Sequence, residues 1–465
     1  MIAYKCLRKG AVGPFSGFRW PQPTTVAPGP WVESEPSRCA SGIHACTAEQ
    51  LPYWQRIESA ARELFADYGY QEMRVPLVEH AELFSRSIGE HTDIVEKEMY
   101  SFDDRGGDRL SLRPEATAGL VRAAIEHGLL HNQKQRIWTC GPMFRHERPQ
   151  QGRYRQFHQI GCEAFGYPGP DIDAEVIQVS ARLWRKLGIR DVRLAVNSLG
   201  TSDSRRQYRT LLIDYFSSRR TALDADSQRR LETNPLRILD SKNPAMRGVL
   251  EDAPRLIDHL DANSRRHFDR FLELLAGCGI AAEVDARLVR GLDYYTRTVF
   301  EWRTAALGSQ DAVCSGGRYD GLVEQLGGEP TPAIGWALGI ERVVGLMQAA
   351  GVAAAVPAPA VYLVLSGERA ELAGPALAER LRDELPGAGV LANMEGGSFK
   401  AQLKRADKSG AAVAVILGDD EAARGVAAVK WLRTETAQQE WSQDELPRRL
   451  AAALADGGAG NRDGR

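Results

Sequence analysis

The sequence predicts an α+β protein: an antiparallel sheet flanked by helices, carrying a helical insertion and followed by a smaller α/β domain. Three observations predict it. Two strand-like runs, RIWTCGPMFRHE and YRQFHQIGCEAFG, flank the short polar loop RPQQGR and read as an antiparallel hairpin, with Gly152 relieving the turn. The block from about 201 to 277 is mostly helix-periodic and separates two strand-rich regions. Beyond an Ala/Pro stretch at 349–360, AAGVAAAVPAPA, strands and helices alternate.

The composition allows this architecture. A chain of 465 residues suits about three domains, at ~150 residues each. Hydrophobic residues at 43% and charged residues at 26% exclude a disordered chain. No apolar run approaches the ~18 residues of a membrane-spanning helix, so no membrane partner is expected. With 59 basic and 61 acidic residues the formal net charge is −2, which excludes a uniformly basic surface but not a local basic patch. Seven scattered cysteines make no disulfide framework, and a reducing, cytoplasmic location is the expectation.

Residues 1–51 form an atypical arm, expected to be poorly structured. Lys5, Arg8, Lys9 and Arg19 precede the first acid, Glu33, as in an organelle transit sequence, but Pro and Gly recur too often for an amphipathic helix. Cys6, Cys39, His44 and Cys46 are zinc-type ligands without the C-x-x-C pair of a structural site, so ordinary thiols are the simpler reading and no metal ligand is assigned.

The core domain spans 52–348. It opens with a helix whose apolar face is Trp54, Ile57, Ala61, Leu64, Phe65 and Tyr68, stopped by Gly69. YQEMRVP follows as a strand ending at Pro76. After the hairpin come a helix from Asp173 to Leu187 and the strand DVRLAVNSLG. In the insertion, 201–277, Tyr208, Leu211, Leu212, Tyr215 and Phe216 share one face, and Phe268, Phe271, Leu272 and Leu275 another. TRTVFEW resumes the strands. In the α/β domain, 361–456, VYLVL, GVLAN and AAVAVIL are strands, and Glu368–Leu385 and Ser398–Ser409 are helices. The tail 457–465 is expected to be disordered.

Five segments carry the chemistry: LRPEAT, GPMFRHERPQQGRYRQFHQIGCE, RGLDYYTRT, SGGRYDGL and PAIGWALGIER. All are dense in Arg, Glu, Tyr and Gly. Arginine is built for bidentate phosphate binding, and a neighbouring glycine lets the backbone approach a ligand. Glu115, Glu147 and Glu163 are suited to ammonium or amino groups. Singly, each segment reads better as a solvated ion pair, a packing tyrosine or a turn. Together they describe a polyanionic substrate beside a small cationic one.

From about Pro52 to Asp444 these segments resemble the histidyl-tRNA synthetases, which are class II aminoacyl-tRNA synthetases. The helix and strand ending at Pro76 resemble motif 1, the dimer element; FRHE resembles motif 2 and GIER motif 3. RGLDYY and SGGRYDGL resemble the two histidine signatures, NPLRILDSK the insertion domain, and FKAQLKRADKSGAAVAVILGDDE the C-terminal anticodon-binding domain.

The resemblance implies a homodimer that joins L-histidine to tRNA(His) through histidyl-adenylate, using ATP with Mg2+ and releasing AMP and pyrophosphate. Arg145, Arg290 and Arg342 would be catalytic, with Arg145 and Arg290 on the α-phosphate and Arg342 on the γ-phosphate. Glu147 would read adenine. Glu115, Ala116 and Thr117 would hold the histidine amino group. Gln159, Glu163, Tyr294, Tyr295 and Tyr319 would form the imidazole pocket. Arg148, Gln150 and Arg153 would meet the acceptor end of tRNA. Lys400, Lys404, Arg405 and Lys408, at helical spacing, would meet its backbone.

The sequence departs from the family at one place. Where the family opens with Arg-Gly-x-x-Asp before the first helix, this chain has SGIHACTAEQLPYW, and its first fifty residues match nothing in the family. Two rival readings follow: a non-charging synthetase-like regulatory subunit of histidine biosynthesis, and a synthetase inactivated by its N-terminus. Such regulators lack the anticodon-binding domain and degrade RGLDYY, and this chain keeps both.

Overall fold

An eight-stranded mixed sheet organises the core of the protein, seen in a computed structural model that describes residues 39–459 apart from 90–91, 150–151, 242, 308–310, 354–357 and 395. Its order is Gln71–Glu72, Gln135–Phe144, Gln156–Phe165, Ala333–Gly339, Ala312–Arg318, Thr296–Arg303, Arg193–Ser198 and Ala282–Val284. The six inner strands pair antiparallel, and the short strand at each edge pairs parallel. The hairpin expected from the sequence lies in it, with Gln135 opposite Phe165 and Phe144 opposite Gln156.

Alternation along the strands divides the sheet into two faces. Ile160, Cys162, Ala164, Ile334 and Leu338 are buried in a cluster with the helices Leu51–Asp67 and Pro170–Leu187. Phe65 of the first helix stacks on Trp138 with ring centroids 5.0 Å apart. Gly69, at φ +72°, turns the chain out of that helix as its sequence position requires. The opposite face carries Gln159, Gly161 and Glu163, and it lines a cleft.

Two sequence expectations change here. YQEMRVP is not one strand. Only Gln71–Glu72 pairs in the large sheet, and Val78–His80 joins a separate three-stranded sheet with Arg109–Leu112 and Tyr100–Asp103. Between them the Val75 carbonyl is taken by the Arg113 guanidinium, 2.9 Å away, instead of by a neighbouring strand. The block 201–277 also does not pack as one unit. Tyr208, Leu212 and Phe216 belong to one apolar cluster, whereas Phe268, Phe271 and Leu275 of the helix Ala262–Gly277 pack in the cluster around Pro170–Leu187. That last helix is part of the core layer.

The C-terminal domain has its own apolar clusters and a five-stranded sheet ordered Val390–Ala392, Val361–Ser366, Val413–Gly418, Val426–Trp431 and Gln439–Ser442. The first three strands are parallel and the last two antiparallel. The expected helices are Glu368–Glu384 and Phe399–Lys408, the second capped by the Ser398 hydroxyl. The final helix, Leu446–Ala459, extends into the tail that the composition marks as disordered; residues 460–465 lie outside the described part. Among the described residues no helix is long and apolar enough to cross a membrane.

Candidate active site

The cleft, of about 320 Å³, gathers residues from all five sequence segments. Glu115, Ala116 and Thr117 come from the turn that starts the helix Thr117–Glu126. Arg145, Glu147 and Arg153 come from the hairpin loop, and Gln159 and Glu163 from its return strand. Arg290, Tyr294 and Tyr295 precede the strand Thr296–Arg303, and Tyr319 follows Ala312–Arg318. Arg342 lies in the first turn of the helix Ile340–Ala349.

One end is built around two buried carboxylates. Glu115 accepts the backbone N–H of Thr117 at 2.6 Å and of Ala118 at 2.9 Å, so both its oxygens are fixed by the helix start. Burial still pushes its carboxyl above the ordinary value. Glu163 accepts the hydroxyls of Thr117, at 2.8 Å, and Tyr319. Burial raises its carboxyl to about 8, against the pull of those two donors. Two buried carboxylates side by side suit a cationic group. Opposite Glu163 stands Gly335, where an added Cβ would lie 1.6 Å from the Glu163 Oε2. Only glycine leaves that carboxylate its place.

The tyrosines close this end. Tyr294 packs on Tyr295 and Tyr319 with centroids 4.7 and 5.6 Å away, and burial raises all three phenols. Tyr319 is positioned by its neighbours. Fully buried Arg318 donates to Asp173 at 2.7 Å, to Asp320 at 2.9 Å and to the Tyr167 and Gly169 carbonyls. Asp173 in turn accepts the Thr298 hydroxyl at 2.6 Å and faces His267 Nε2 at 2.8 Å. A buried ion pair persists only with partners of this quality.

The other end is cationic. Arg145 donates to the Pro114 carbonyl at 2.8 Å and lies over the Phe157 ring, 5.4 Å from its centroid. Arg290 pairs with Glu301 at 2.9 Å; Glu301 also takes Arg303 at 2.7 Å. Arg342 donates to the Gly152 and Ala312 carbonyls, and burial together with nearby Arg153 lowers its guanidinium below the usual value. Guanidiniums gathered in one cleft suit a polyanion.

The remaining assignments separate. Arg153, read from the sequence as an RNA contact, lies in the cleft and pairs with Glu147 at 2.9 Å. Arg148 is exposed and outside the cleft lining, and Gln150 lies outside the described residues. Lys400, Lys404 and Lys408 are exposed on the C-terminal helix. Arg405 departs from them: it donates to Asn393 Oδ1 at 3.0 and 2.8 Å and to the Gly396 carbonyl. Its guanidinium ties down a loop rather than facing solvent beside the lysines. Cys39, His44 and Cys46 form no three-ligand metal cluster among the described residues, and Cys6 lies outside them. Sequence reasoning missed Gly335, Glu301 and Phe157. All three lie inside or next to the quoted segments; the partner of Gly335, Glu163, is remote in sequence, whereas Glu301 and Phe157 meet Arg290 and Arg145 across nearby turns.

A largely antiparallel sheet with a polar cleft on one face, followed by a separate α/β domain, defines a class II aminoacyl-tRNA synthetase architecture. Residues 42–343 match the family described as histidyl-tRNA synthetase, and residues 360–453 match the anticodon binding domain. The apo histidyl-tRNA synthetase of S. aureus superposes with a TM-score of 0.76 at 32% identity, covering 89% of this chain and 99% of that one. A histidyl-tRNA synthetase from Nostoc sp. shares the fold at TM-score 0.63 and 19% identity, over 90% of this chain and 99% of its own. So does a Bacillus halodurans protein described as an ATP phosphoribosyltransferase regulatory subunit/histidyl-tRNA synthetase, at TM-score 0.59 and 21% identity, over 84% and 99%. The chain belongs to the histidyl-tRNA synthetase family.

Proposed function

We propose that this protein joins L-histidine to tRNA(His) in two steps, through histidyl-adenylate. The observation that carries the reading is one cleft with two buried carboxylates at one end and Arg145, Arg290 and Arg342 around the other. Histidine binds with its ammonium near Glu115 and Thr117, and its imidazole among Glu163, Gln159, Tyr294, Tyr295 and Tyr319. Imidazole has two nitrogens that need partners, and a pocket built for both rejects analogues that leave its own groups unpaired. ATP lies towards Glu147, its α-phosphate near Arg145 and Arg290 and its γ-phosphate near Arg342.

The histidine carboxylate attacks the α-phosphate and pyrophosphate leaves. That carboxylate is already ionised, so no general base is required. The chain's task is to hold two anions in line, and fixed guanidiniums do this without reorganising. Glu301 orients Arg290 for that purpose. Magnesium would neutralise charge on the phosphates, which would supply most of its ligands; Glu301, paired with Arg290 and Arg303, and Glu341, which accepts the His158 N–H with both oxygens, are already engaged. In the second step the activated histidine passes to the terminal ribose of the tRNA. The protein works as a cytoplasmic homodimer, and Lys400, Lys404 and Lys408 supply phosphate contacts from the C-terminal domain.

A non-charging regulatory role is the second reading, because one structural relative is described partly as a regulatory subunit. The anticodon-binding domain and the intact RGLDYY favour charging. Histidine-dependent ATP–pyrophosphate exchange on the full chain separates them. Exchange with histidine alone is expected, and Arg145→Ala should lower it ~10²-fold or more. No exchange from folded protein would favour the regulator.

A further inference from the structure

The segment before the first helix, read from the sequence as a poorly structured arm outside the family, falls within the family match from residue 42 and is packed against the hairpin loop of the cleft. Gly42 is buried at φ +76°, and its carbonyl accepts the Arg155 backbone N–H at 2.7 Å. The Ser41 carbonyl accepts from the Arg155 guanidinium at 3.4 Å. His44 stands edge-on to Tyr154, with centroids 5.1 Å apart, and Tyr154 lines the cleft. There is no room at Gly42: an added Cβ would lie 2.9 Å from Arg155 Cγ and 3.0 Å from Pro149 Cγ. A non-glycine residue would also strain at that φ.

Arg155 passes this grip inward. Its carbonyl accepts the Arg145 backbone N–H at 2.9 Å, and its Nε donates to the Glu147 carbonyl at 3.3 Å. The residues that fix Glu115 and Glu163 lie on other elements, and among the described residues the segment reaches that end only indirectly, through Arg145, which donates to the Pro114 carbonyl at 2.8 Å.

We propose that residues 41–44 are a positioning strap for the nucleotide end of the cleft, setting Arg145 and Glu147 through Arg155 and acting on the histidine end only weakly. This rests on the reading that ATP binds beside Arg145 and Glu147. The strap works through backbone carbonyls and a glycine conformation, so the family's opening Arg and Asp are dispensable to it and Gly42 is not.

The test compares wild type, Gly42→Ala and His44→Ala in the full chain. Titration calorimetry with ATP–Mg2+ and with histidine gives both affinities, exchange assays give kcat and both KM values, and melting curves check folding. The strap predicts that Gly42→Ala weakens ATP about tenfold and lowers kcat, with histidine affinity within about twofold. His44→Ala shifts ATP in the same direction but less, and it supplies the reading if Gly42→Ala does not fold. Unchanged ATP affinity in folded variants, or equal losses for both ligands, would overturn the strap. Wild type that binds ATP but catalyses no exchange would sink the synthetase reading and leave the binding test of the strap standing. Wild type that binds no ATP would sink both.

Discussion

The cleft and the basic helix of the C-terminal domain are both rich in charge, and they hold it in opposite ways. In the cleft Glu115 and Glu163 are 5% and 2% exposed, and each has its oxygens fixed by named donors. On the helix Phe399–Lys408 the three lysines are exposed. Burial makes a charge specific, because its partners must be placed to offset desolvation. Exposure makes it interchangeable, since water and salt screen it. The same contrast occurs within that helix, where Arg405 is tied to Asn393 and Gly396 while Lys404 beside it is exposed.

The largest effect that would sharpen this contrast is at Glu115. Glu115→Gln turns an amide NH2 towards the N–H groups of Thr117 or Ala118, and it removes the charge facing an ammonium. The histidine KM in the exchange assay should rise ~100-fold or more, since a buried polar group left unmatched is costly. Wild-type kinetics in this variant would remove Glu115 from the site.

A smaller effect is thermodynamic. The Glu163 carboxyl is raised to about 8 from the ordinary 4.5. Such an acid contributes stability that is complete below 4.5 and is lost as pH climbs through about 8. The melting temperature of the empty protein should therefore fall across that window, and Glu163→Gln should flatten the fall by roughly 2–5 °C. Histidine binding near neutral pH should release a proton from Glu163, seen as a buffer-dependent heat. A pH profile identical in wild type and variant would contradict the buried, protonated carboxyl.

The smallest effects belong to the helix. Neutralising Lys400, Lys404 and Lys408 together should weaken tRNA binding and lower its salt slope by about 1 per lost phosphate contact, leaving pyrophosphate exchange unchanged. Arg405→Ala should instead lower the melting temperature of the C-terminal domain, with little change in slope. If Arg405 moved the slope and the lysines did not, the assignment of buried and exposed charge here would be reversed.

Much of the cleft is legible in the sequence, because its residues are clustered in short segments whose types match their chemistry. Arg145, Glu147 and Arg153 lie within nine residues of one hairpin loop, and every residue read as binding histidine lines the cleft. Arg153 and Arg405 have partners that the sequence did not show for one reason: spacing says which residues are neighbours along the chain, not which carbonyl or carboxylate waits across from them. The strand expected at 70–76 fails similarly, since Arg113, far along the chain, claims the Val75 carbonyl.

By itself the sequence determined the element types, the family and the chemistry of the segments, because periodicity, glycine placement and motif spacing are local properties. Only the tertiary structure decided what those residues face. The register between Gln156–Phe165 and Ala333–Gly339 sets Gly335 against Glu163, and the turn at Gly42 grips Arg155. Both contacts join residues more than a hundred positions apart, and they depend on close packing that no local pattern encodes.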